Sequence, residues 1–98
     1  MIVYSVNKGG VYLKVNVIEK TYRSFHKEDF EHYFSNRGKC KNPGVYIGDG
    51  WLVYLGDERK ELVGPMEFIT ITITIEISID IQEEFIAELR KSFLKGGG

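Results

Sequence analysis

The sequence predicts an α+β fold built on a mainly antiparallel β-sheet, and three observations lead there. Short apolar segments of period two open the chain. An amphipathic helix separates them from a compact meander. Seven of the 11 isoleucines then stand at alternate positions from Ile69 to Ile81. Strands and helices do not alternate strictly, which argues against a parallel βαβ sheet. The expected order is ββα-ββ(β)-β-α.

A chain of 98 residues makes one domain, expected over residues 1–95 with 96–98 as a flexible glycine tail. Residues Ile2–Val6 and Val11–Ile18 read as strands. Asn7-Lys8-Gly9-Gly10 between them tolerates the positive φ of a tight hairpin. Val11, Leu13, Val15 and Val17 give the second strand one apolar face, with Tyr12 opposite. A helix follows over Phe25–Asn36, with Ser24 as N-cap and Gly38 as its stop. Phe30, Tyr33 and Phe34 form its apolar face.

Ser35–Pro43 reads as a polar loop. Beyond it, Val45-Tyr46-Ile47-Gly48-Asp49 is echoed by Val53-Tyr54-Leu55-Gly56-Asp57. Such a short echo suits a meander, with Val45–Ile47 paired to Trp51–Leu55 through a type I′ turn at Asp49-Gly50. Glu61–Val63 is a further short strand before Gly64-Pro65. The long strand spans residues 67–80, with isoleucines on one face and Thr70, Thr72, Thr74, Glu76, Ser78 and Asp80 on the other. A C-terminal helix follows, capped by Asp80, with the stripe Ile81, Phe85, Ile86, Leu89, Phe93 and Leu94. Its acids lie early and its bases late, as the helix dipole favours.

The long strand has a geometric consequence. Extended, it spans about 43–50 Å, whereas a compact domain of this size has a radius of gyration near ~13 Å. It contains no glycine or proline, and its alternation is unbroken. It must coil within its own sheet or be shared with a second molecule. A homodimer, by edge pairing or sheet packing, is the expectation.

Composition excludes some function classes. The net charge is -1, so no global bias points to nucleic acid or a membrane. No apolar run approaches the ~18 residues of a membrane span, and no secretory leader pattern is visible. Cys40 is the single cysteine, which forbids an intrachain disulfide and a cysteine zinc cluster. A cytoplasmic protein without cofactor or metal is expected.

Candidate chemistry is sparse. His26 and His32 lie about 240° apart around a helix, so they do not share a metal. A metal-independent nuclease or toxin would need one of them as acid or base, with a nearby cation on phosphate. Residues 1–41 carry eight Lys or Arg and four acids, whereas residues 42–98 carry five and ten. Arg37, Lys39 and Lys41 are therefore the candidate contacts for nucleic acid or phosphate.

Two resemblances are partial. Gly44-Val45-Tyr46 with Tyr54-Leu55-Gly56 resembles the paired motif of GIY-YIG nucleases, but the gap is short and little helical sequence lies downstream. The terminal glycines resemble the ends of ubiquitin-like modifiers, but here they follow a helix instead of a final strand.

The chain has six Phe, six Tyr and one Trp. Tyr46, Trp51 and Tyr54 exceed what one buried side of the meander holds. With Thr70, Thr72 and Thr74 they are the candidate self-association or partner surface. The expectation is a non-enzymatic protein-interaction module that binds itself and another protein. Its size and Ile/Lys/Glu-rich character suit a small phage or mobile-element protein acting on a host macromolecule. A small RNA- or DNA-binding protein is the alternative.

Overall fold

The computed structural model describes residues 2–6 and 12–94. The expected Asn7–Gly10 hairpin and the glycine tail lie outside them. The elements are β1 (Ile2–Val6), β2 (Tyr12–Arg23), α1 (Lys27–Ser35), β3 (Lys39–Asn42), β4 (Val45–Gly48), β5 (Trp51–Leu55), β6 (Arg59–Val63), β7 (Met66–Ser78) and α2 (Ile79–Ser92). Among the described residues the strands form one seven-stranded sheet in the order β1-β2-β7-β5-β4-β3, with β6 also on β7. Every pairing is antiparallel. The fold is α+β, as expected.

The long strand is the spine of this sheet. Residues Thr70–Ser78 pair with β2 on one flank. On the other flank, Ile73–Ile77 pair with β5 and Met66–Thr70 with β6. The two sets differ in register by one residue. Gly56 still donates its N–H to Thr72 O at 2.9 Å, but pairing resumes at Arg59 opposite Thr70. Asp57 and Glu58 together therefore stand opposite Ile71, which is a one-residue bulge. The bulge lies in the partner strand, so the alternation of β7 survives. This corrects the idea that β7 is left over for a second molecule, because both its flanks are occupied along Ile73–Ile77. The molecule is accordingly long, 53 × 23 × 20 Å, with a radius of gyration of 14.6 Å.

Opposed residues of antiparallel strands share a face. Ile71, Ile73, Ile75 and Ile77 are fully buried and face the helices, each burial stabilising by roughly 1.5–3 kcal/mol. Register sets Tyr22, Ile18 and Asn16 of β2 on that face. Val15 and Val17 stand on the opposite face. The apolar face expected for β2 is thus not its helix-side face, because the strand runs on to Arg23 and contributes Tyr22 to the core. The helices divide the inner face, α1 lying over β3 and β5 and α2 over β7 and β2.

Helix α1 begins two residues later than expected. Ser24 adopts φ 69° and donates its N–H to Ile69 O at 2.8 Å. That turn drops Phe25 into the core. His26 becomes the N-cap, and its N–H donates to Asp29 Oδ2 at 2.8 Å. Helix α2 begins earlier than expected. Ser78 is the N-cap, and its N–H donates to Gly50 O at 2.8 Å. Of the expected stripe, Leu94 is exposed, while Leu89 and Phe93 are buried.

Three turns depend on glycine. Gly44 follows Pro43 with φ 77°, the pattern of a type II turn. At Asp49-Gly50 only Gly50 has positive φ, 84°, so the turn is not the type I′ that Asp-Gly suggests. Gly64 precedes Pro65 with φ 61°, the pattern of a type II′ hairpin between β6 and β7.

Candidate interaction surface

Both helices lie on the isoleucine face, so the other face of the sheet has no helix over it among the described residues. Parity assigns its residues. Thr70, Thr72, Thr74 and Glu76 come from β7, and Thr21 and Arg23 from β2. Tyr54 and Leu52 come from β5, and Val45 and Ile47 from β4. Arg59, Glu61 and Val63 come from β6, opposite Thr70, Phe68 and Met66.

Seven large apolar residues are exposed among those described, and four are on this face: Ile47 (39%), Tyr54 (42%), Val63 (45%) and Met66 (56%). Between them the polar groups are locked in place. Thr72 Oγ1 lies 2.8 Å from Thr21 Oγ1 and accepts from Arg59 Nη2 at 3.1 Å. Arg23 pairs with Glu61 at 2.6 Å and lies over the Phe68 ring at 5.9 Å. The Glu76 carboxylate, more than burial, pushes the Tyr54 phenol above its ordinary value. The result is a sheet surface of fixed hydroxyls and ion pairs with apolar side chains among them. Such a mixture suits a protein partner.

The expected surface residues therefore separate. Thr72, Thr74 and Tyr54 are on this face. Thr70 is on it too, but it is buried at 2% and its Oγ1 donates to Arg59 O at 3.5 Å. Tyr46 and Trp51 are core residues, which corrects their assignment to a surface. Trp51 packs between Phe34 of α1 and Phe85 of α2, at 5.6 and 5.4 Å between centroids. The sequence reading missed Ile47, Val63 and Met66. The parity of the hairpin across Gly64-Pro65 was the available signal for the last two.

The basic candidates differ in their surroundings. Arg37 donates to Glu88 Oε2 at 2.9 Å and lies 4.4 Å over the Tyr33 ring. Lys39 and Lys41 are exposed on β3, a strand instead of the expected loop. The histidines are also apart in role: His26 caps α1 with Nδ1 3.4 Å from Glu58 Oε1, and His32 lies in its last turn. Cys40 is exposed, and its Sγ donates to Asn42 O at 3.2 Å. No group of three or more metal-ligating side chains occurs among the described residues. No described helix is long and apolar enough to cross a membrane.

No curated protein matches the chain. A family model described as archaeal MoaD-like protein matches residues 18–98. The match begins inside β2, runs through α1, the meander, β7 and α2, and includes the glycine-terminated tail. The chain belongs to the archaeal MoaD-like protein family.

Proposed function

We propose that this chain is a non-enzymatic, homodimeric protein-interaction module that presents the uncovered sheet face to another protein. The observation that carries this reading is the grouping of Ile47, Tyr54, Val63 and Met66 on one side of the sheet, among immobilised threonines. A surface with aromatic and methionine side chains and a fixed polar pattern favours a folded protein partner. The basic residues favour nucleic acid less, since the Arg37 guanidinium is already held by Glu88.

The test is capture of partners with and without nuclease, then direct titration of the purified partner. Capture resists nuclease, and the pair Tyr54→Ser/Met66→Ser weakens the purified complex at least about tenfold. Nuclease-sensitive capture, or undiminished binding by the folded variant, contradicts the reading.

A further inference from the structure

We infer that the homodimer forms through the open flank of β2, residues Glu19 to Arg23, paired with the same segment of a second copy. This rests on the homodimeric reading above and deepens it.

Among the described residues β1 pairs only with Tyr12–Asn16. From Val17 to Arg23 that flank of β2 has no strand beside it among the described residues, while the other flank is joined to β7. A second copy is the strand that fits, because the segment is self-complementary. Set around a two-fold axis at Thr21, Glu19 faces Arg23, Lys20 faces Tyr22, and Thr21 faces its counterpart. Opposite charges and paired threonines are favourable cross-strand neighbours, with Arg23 then shared between Glu61 and Glu19 of the second copy. An axis at Lys20 would oppose two lysines. An axis at Glu19 would oppose two carboxylates and bring Tyr22 to Asn16, where Ile2 already pairs.

Apolar surface borders the same flank. The groove beside this flank is lined by Ile18, Ile86 and Ala87, with Glu83 and Arg90 also lining it. The same axis runs the two copies of α2 antiparallel, and because Gln82 is held beside Asn16 at 3.1 Å and Phe93 lies beside Tyr22, the C-terminal ends of α2 lie nearest the axis. The two-fold axis stands perpendicular to the sheet, so both uncovered faces lie on one side. The dimer therefore doubles the surface offered to a partner. It also hides a sheet edge that would otherwise be open to indiscriminate pairing.

Sedimentation equilibrium of the full chain at tens of micromolar gives a dimer. With Cys40→Ser as background, Thr21→Cys forms an interchain disulfide on mild oxidation, since two-fold opposed residues lie within disulfide reach. Thr74→Cys, on the uncovered face, does not. Glu19→Arg weakens the dimer about tenfold, and Glu19→Arg/Arg23→Glu restores it. A folded wild-type monomer overturns the homodimer, and partner capture through Tyr54 then stands or falls separately. A dimer that crosslinks through Thr74→Cys but not Thr21→Cys overturns the β2 interface alone.

Discussion

The ring of Phe30 on α1 stacks on that of Phe93, just past the end of α2, with centroids 4.2 Å apart and planes 10° from parallel. Phe25 and Tyr22 close around the pair, at 5.0 Å from Phe93 and Phe30 respectively. This cluster joins both helices to the far end of β2, so the core depends on an aromatic near the limit of the described chain. Truncating Phe93 to alanine is expected to cost about 3–5 kcal/mol. Denaturant unfolding checks this, and a loss below about 1 kcal/mol would show the cluster to be dispensable.

Trp51 supplies a second, more local prediction. Its indole covers Gly48 on the facing strand, and a Cβ at Gly48 would overlap the ring. Gly38, at the end of α1, leaves only 2.9 Å to the same ring for a Cβ. Gly48→Ala should therefore displace Trp51 and cost about 1–3 kcal/mol as overpacking. A changed near-ultraviolet circular dichroism band for the single tryptophan accompanies it. Unchanged stability and spectrum would contradict the packing.

These elements separate what was legible in the sequence from what was not. Alternation of β-branched residues revealed the body of β7, but it runs on through Ile79 and Ile81, which belong to α2, so the end of the strand was not legible. The inner and outer faces of β2 were not legible. Both parities carry apolar residues, and only pairing Ile18 with Ile75 decides between them. Tyr46 and Trp51 read as surplus aromatics because Gly38 and Gly48, the space that admits the indole, are separated from it in sequence or across a turn. The bulge at Asp57 and Glu58 was hidden because it lies outside the patterned strand. The candidate surface was half legible. The threonines were visible, but which apolar residues join them depends on the register of β6 with β7.

Alkaline pH should weaken the fold. Burial, with smaller help from Tyr33, raises the Tyr22 phenol above its ordinary 10.0. Burial also raises Tyr33, against the lowering effect of its hydrogen bond with Ser92. The folded state thus holds these protons more tightly than the unfolded chain. Their contribution is fully present below pH 10.0 and is lost as pH rises through the higher folded-state values. Denaturant unfolding from pH 8 to 11 checks this, with Tyr22→Phe showing a smaller decline. A stability that rises over that range would be inconsistent.

The uncovered face should tolerate change without loss of fold. Tyr54 and Met66 are 42% and 56% exposed, so replacing each with serine should alter stability by no more than about 0.5 kcal/mol. Larger losses, measured by thermal unfolding, would mean that the face is structural.

On the proposed reading, the uncovered sheet face and not the helix side meets the partner protein. A photo-crosslinking residue placed at Tyr54, compared with the same residue at Lys91 on exposed α2, reads this directly. One discrete protein adduct is expected from position 54, competed away by unmodified chain, and none from position 91. An adduct from position 91 alone would contradict the reading.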